Sequence, residues 1–289
     1  MLSRRAFSLV ELLIALLLAC AVAGAAMQSL AREQRIFAAT ARRNAARAAL
    51  HQAADVLTTD LRSLSPRDGD LYGAAPDHVD FRLLLGSSEL CTIAPARDAA
   101  TLPPTHAASA LGLTAWIAAP QSGDTLLVFD PGGPGLADDR WTRHVLTADP
   151  VPGAACPVAG GFTSTAAEAA AGWGIAIRPP LSPTVPTGSP IRFFRRATFE
   201  LYRAADARWY LGFFDCLTTR VTPCAIVQPV AGPFDPAGLT FTFLDSLGAP
   251  ALPAATARIG IELHASAVGA ASGAPSSHDS LRTVVAMRE

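Results

Sequence analysis

Lysine is absent from the 289 residues, and all 23 basic side chains are Arg. Together with the abundance of Ala, this reads as a bias of base composition and carries no function. Charge of either sign is scarce, at 16% of residues against 50% hydrophobic, and mean hydropathy is +0.30. Such a chain is too apolar for a disordered tail or a nucleic-acid-coating polymer, and it can bury a core. Net charge is nearly absent as well. The balance of 23 basic and 24 acidic residues gives −1, which excludes broad attraction to nucleic acid or anionic lipid as the main activity. The length suits one large or two small domains, and neither an internal repeat nor a composition break marks a second one.

Catalytic motifs are missing too. His51, His78, His106, His144, His264 and His278 are scattered, with no H-E-x-x-H. No G-x-S-x-G, P-loop or strand-borne G-x-G-x-x-G occurs. No C-x2-C spacing points to a metal, so neither a cofactor nor enzyme activity is expected. Asp130, Asp138 and Asp139 flank a Gly-rich loop and offer oxygens to Ca²⁺, but such a cluster reads first as a solvated turn. Asp68-Gly69-Asp70 and the pair Asp77 and Asp80 read the same way. Arg192, Arg195 and Arg196 read as a strand rim, and no direct nucleic-acid binding is expected of them.

What the chain does contain begins at its N-terminus. An apolar run of 24 residues extends from Phe7 to Leu30, broken by Ser8, Glu11, Gln28 and Ser29. As a helix it measures roughly 36 Å, enough to cross a hydrocarbon core of about 30 Å. No second run of this length exists. Arg4 and Arg5 precede it, which predicts a cytoplasmic N-terminus and a large outer domain. Glu11 is out of place, because a carboxylate within a span costs about 2.5 to 3.5 kcal/mol. No basic residue lies within two helical turns after it. A cut between Ala6 and Phe7 would create an α-amino group at the start of the span, and in a packed bundle that amine on one subunit answers Glu11 on its neighbour.

Arg4 to Ala19, R-R-A-F-S-L-V-E-L-L-I-A-L-L-L-A, resembles the processing signal of type IV pilins and type II secretion pseudopilins. The resemblance implies cleavage by a prepilin peptidase after Ala6, where Gly is usual and Ala is small enough to serve. It implies N-methylation of Phe7 and places Glu11 fifth in the mature chain, where it sets register during assembly. It also implies as partners other pilins or pseudopilins through the helix, the peptidase, an inner-membrane assembly platform, and membrane lipid before assembly. Three other readings use the same residues. Leu17-Leu18-Ala19-Cys20 is similar to a lipobox with Cys20 lipidated, Ala21-Val22-Ala23 fits a signal-peptidase site, and the run also serves as an uncleaved anchor. The first two discard the run and leave Glu11 unexplained.

Helical signals continue. Neither Pro nor Gly occurs from Ala31 to Leu64, and Leu50, Ala54, Leu57, Leu61 and Leu64 form one apolar stripe. Ser65-Pro66 stops the helix. The rest reads as strands: Val79–Leu85, Thr125–Phe129, Trp141–Leu146, Gly174–Ile177, Ile191–Tyr202, Trp209–Phe214, Leu239–Leu244, Arg258–His264 and Leu281–Met287. Pro/Gly-rich stretches at 131–135, 179–190 and 269–277 read as loops. The organisation is therefore a leader over 1–6, a membrane-spanning helix over 7–30, its amphipathic continuation over 31–64, and a β-rich outer domain over 65–289.

The fold class is α+β, pilin-like, with a mostly antiparallel sheet on a long N-terminal helix. Gln228 to Ala231, Leu239 to Gly248, Arg258 to Leu263 and Thr283 to Val285 are similar to the endings of minor pilins of the W type and minor pseudopilins of the J type. The outer domain's size also points to a minor subunit at a tip or in initiation. Four cysteines lie outside the span in an exported domain, where Cys216 and Cys224 staple a turn and Cys91 with Cys156 follows by elimination. The alternative from another class is a membrane-anchored or Cys20-lipidated extracytoplasmic enzyme or binding protein, or an adhesin using the loops around Pro131 and Pro183.

Overall fold

No Pro interrupts the chain between Leu9 and Arg62, and Gly24 is the one glycine there. In a computed structural model, which describes residues 9–105, 113–133, 138–216, 227–267 and 277–288, this stretch is one α-helix, α1 (Leu9–Arg62), of 54 residues. Its length is about 81 Å. It stops two residues before the predicted Leu64, and a 3₁₀ turn starts at Pro66.

Among the described residues fifteen strands follow. They are β1 (Leu71–Ala75), β2 (His78–Glu89), β3 (Thr92–Ile93), β4 (Ala99–Leu102), β5 (Ala115–Trp116), β6 (Thr125–Asp130), β7 (Arg140–Leu146) and β8 (Val151–Ala154). After the short helix α2 (Ala166–Ala169) come β9 (Gly172–Arg178), β10 (Pro190–Arg203), β11 (Trp209–Cys216), β12 (Val227–Phe234), β13 (Leu239–Leu244), β14 (Arg258–Ala267) and β15 (Ser277–Ala286). All nine predicted strands are present, and every pairing is antiparallel.

The strands form two sheets rather than the single expected one. Twelve make a large sheet with the path β1-β2-β10-β6-β7-β9-β4-β3, and β13-β14-β15 make a second. β10 is the spine of the large sheet. One of its edges pairs with β2 along its length. The other edge changes partner: Ile191 to Phe194 pair with β6, and Arg196 to Arg203 pair with β11. The sheet splays at Arg195, and the two branches enclose separate cores.

The proximal core holds the helix stripe. Leu50, Ala54, Leu57, Leu61 and Leu64 are all buried, joined by Ala46, Ala49 and Ala53, whose small side chains let α1 approach the sheets closely. They pack with Phe81, Phe199, Leu211, Phe241, Ile261 and Val285. Leu57 and Leu61 are fully buried, and each contributes about 1.5–3 kcal/mol by leaving water. Polar contacts fix the helix at its edges. Arg43 and Arg47 pair with Asp279 of β15 at 3.5 and 3.3 Å, and Gln52 Nε2 donates to the Val230 carbonyl of β12 at 2.8 Å. The distal core, remote from α1, contains Leu85, Leu102, Leu126, Ile175, Ile191 and Phe193. Gly86 is required beside it, because a Cβ there would stand 2.1 Å from the Ala115 carbonyl oxygen and expel β5.

Candidate functional site

The helix divides sharply. The described side chains from Leu9 to Ala41 are exposed, whereas buried positions begin at Ala46. Leu9 to Leu30 is the apolar part, 22 residues and roughly 33 Å, and it is long and apolar enough to cross a membrane. About twelve further residues, or ~18 Å of helix, lie between that span and Arg43, which pairs with Asp279 of the β domain. They carry Arg32, Glu33, Arg35 and Arg42 but also Ile36 and Phe37, which are 58% and 74% exposed. A bare helix of this composition is marginal in water, and its apolar side chains call for partner surface.

Glu11 sits on α1, but its side chain, like Ala6 and Phe7, lies outside the described residues. Cys20 is a free thiol on the exposed half of the helix. Cys91 and Cys156 are joined in a disulfide with a Cα–Cα distance of 5.4 Å, both buried in the distal lobe. Cys216 ends β11, and its side chain and Cys224 lie outside the described residues.

Most of the remaining polar candidates are paired within the fold. Arg192, Arg195 and Arg196 do not act together. Arg195 is buried between Asp124 and Asp215, Arg196 pairs with Asp80, and Arg192 lies over the Trp141 ring. Asp70 pairs with Arg82 at 3.0 Å and accepts the Ser65 N–H, and Asp77 contacts His78. Asp68 is an exposed residue of the 3₁₀ turn.

Asp130 is fully buried and accepts from the Thr184 hydroxyl at 2.6 Å, the Gly132 N–H at 3.0 Å and Arg140 at 3.3 Å. The Thr184 bond foremost, helped by Gly132 and Arg140, lowers its pKa. Its oxygens thus already have donors, one of them a guanidinium, and Asp138 and Asp139 stand exposed at the surface. A carboxylate whose folded pKa is depressed stabilises above its unfolded value near 4 and loses that contribution as pH falls through its folded value. Asp130→Asn is therefore expected to flatten the acid-side decline of stability below about pH 4, as read from denaturation curves across pH.

Among the described residues no three His, Cys, Asp or Glu side chains gather as a metal-binding group. His144 is buried, with Nδ1 2.7 Å from the Pro179 carbonyl and Nε2 2.9 Å from the Thr142 hydroxyl. One grouping escaped the sequence altogether: Ser266, His278 and Asp235. It borders a cleft of about 600 Å³ between α1 and the β domain. The Ser266 hydroxyl is 2.6 Å from His278 Nδ1, and Asp235 is 3.8 Å from that same nitrogen. A nucleophile relay needs the serine and the acid on opposite ring nitrogens, so this trio is not arranged for it.

No protein-family model matches the chain, and neither a curated protein nor a solved structure matches it.

Proposed function

We propose that the chain is a minor pilin or minor pseudopilin, a non-enzymatic subunit that assembles through its N-terminal helix into a type IV pilus or type II secretion pseudopilus, at its tip or in its initiation. The observation that carries this reading is the division of α1. One half holds the β domain, and in the other, which carries most of the processing-type signal of residues 4–19, every described side chain from Leu9 to Ala41 is exposed. A bilayer accounts for the first 33 Å or so of that bare half, and neighbouring helices in a filament account for the part bearing Ile36 and Phe37.

Orientation follows from redox chemistry more than from flanking charge. Arg4 and Arg5 precede the span, but Arg32, Arg35, Arg42 and Arg43 follow it, so basic residues alone do not choose a side. A buried disulfide belongs in an oxidising compartment, which supports an extracytoplasmic β domain. The lipoprotein reading fits less well. A mature N-terminus at Cys20 would fall within the continuous helix and discard the span that α1 presents.

Intact-mass measurement of the mature protein is expected to show loss of Met1 to Ala6 and one methyl group on Phe7. A chain beginning at Cys20 or Gly24 would establish a signal-peptide reading instead. Glu11→Leu is expected to insert normally into the membrane and to be lost from filaments. Normal incorporation of that variant would remove the register role of Glu11.

A further inference from the structure

Net charge describes the whole chain, and the fold distributes it unevenly. Cross-strand register puts Arg192 of β10, Leu127 of β6 and Arg143 of β7 in one row across three strands. Side chains directly opposite each other share a face, about 4.5–5.5 Å apart at Cβ. Two residues along β7 in one direction, Trp141 faces Phe129; two residues in the other, Val145 faces Arg178 of β9. This is the outer face of the distal lobe, because the intervening Leu126, Val128, Leu146, Ile177 and Ile191 point into the core. Arg143, Arg178 and Arg192 are exposed, and Trp141 is 39% exposed.

Two features mark the face as more than a solvated rim. None of these three arginines has an ion-pair partner among the described residues, while Arg82, Arg140, Arg195 and Arg196 of the same sheet all do. The carboxylates at the border, Glu89, Asp138 and Asp139, do not reach them. Arg192 is also held in place: its guanidinium lies 4.6 Å from the Trp141 ring centroid, and Trp141 is braced edge-on by Phe129 at 5.6 Å.

We propose that this face of β10, β6, β7 and β9 binds a single strand of nucleic acid through Arg143, Arg178 and Arg192. β6, at the centre of the face, is paired with β10 on one side and β7 on the other, so an extended peptide has no edge to join there, and β7 meets β9 only at Val145 and Leu146. A sheet face bearing cations and aromatic rings on central strands is the arrangement that engages unpaired nucleotides. The arginines take phosphates, and the Arg192–Trp141 stack offers its guanidinium plane to a base. The site is far from α1, so it stands or falls separately from the assembly role.

The test is fluorescence anisotropy of a labelled oligothymidylate of about 12 nucleotides, titrated with the full chain in phosphatidylcholine nanodiscs. Three phosphate contacts predict that log affinity falls against log salt with a slope of about −2 between about 50 and 200 mM. Arg143→Gln and Arg178→Gln are each expected to reduce that slope by about 0.7, and the triple variant with Arg192→Gln to abolish binding. Trp141→Leu should weaken binding with the Arg143 and Arg178 contributions to the slope intact. All three arginines are exposed, so the variants should keep the parent's circular dichroism. Each single change still reads the slope if the triple variant misfolds. Absence of binding at about 50 mM salt, an unchanged slope in the single variants, or equal competition by poly-glutamate of matched charge would each overturn the proposal; the last would assign the face to an acidic protein.

Discussion

Asp124→Ala is expected to lower folding stability by about 3–5 kcal/mol, because it strips the principal partner from a buried guanidinium. Arg195 is 5% exposed and Asp124 is 0% exposed. The pair is bidentate: Nε donates to Oδ1 at 2.8 Å and Nη2 to Oδ2 at 2.7 Å, while Nη1 donates to Asp215 at 2.8 Å. Asp124 foremost, with Asp215 adding to it, moves the Arg195 pKa upward against the opposing effect of burial, so the guanidinium stays charged at any working pH. The location explains the size of the effect. Arg195 stands where β10 exchanges β6 for β11, Asp124 immediately precedes β6, and Asp215 lies on β11. The trio ties together two strands that diverge from a common neighbour, at the point where no backbone ladder joins them. Denaturant unfolding of the full chain in detergent, followed by tryptophan fluorescence, measures the loss. Arg195→Met combined with Asp124→Leu and Asp215→Asn is expected to recover much of it, since replacing all three members leaves no unpaired charge. A loss under about 1 kcal/mol in the single variant would show that Asp215 alone suffices for Arg195.

Removing the Cys91–Cys156 disulfide should cost nearly as much. The bond closes a loop with a sequence separation of 65, for which chain entropy gives about 4 kcal/mol. That loop contains β3 to β8, most of the distal lobe, and its strands β3, β5 and β8 have only two to four residues each. Strands so short hold few hydrogen bonds of their own, so the lobe depends on the cross-link more than the helix-bound half does. Cys91→Ala with Cys156→Ala, or reductant on the native chain, is expected to shift the denaturation midpoint and to release Trp116 and Trp173 before the helix core unfolds. A single coincident transition with an unshifted midpoint would show that the distal core is sufficient alone. The same dependence connects stability to location, because the lobe is fully stable only where the thiols stay oxidised.

Several elements were legible because their signals are local. The α1 stripe repeats at helical spacing over many turns, and strands such as Leu239–Leu244 alternate Leu and Phe with Thr. Others were hidden. β12 contains Pro229, Gly232 and Pro233, which oppose strand formation, yet its position at a sheet edge tolerates them and β11 supplies its pairing. β1, Leu-Tyr-Gly-Ala-Ala, likewise borrows its ladder from β2. β3 and β5 are two residues each, too short for any period to register. As for the candidate site, the proposed N-terminal signal and Glu11 are readings of the sequence alone, and the Ser266, His278 and Asp235 grouping was not legible there, because its members come from three separate segments.

The sequence by itself determined that one long helix begins apolar enough for a membrane and ends amphipathic, since partition into oil and helical periodicity depend on residues within a few turns of one another. Only the tertiary structure decided that the sheet splays into two cores, and that neighbouring Arg192, Arg195 and Arg196 have three different fates. Pairing of distant strands places those side chains on opposite faces and beside different acids.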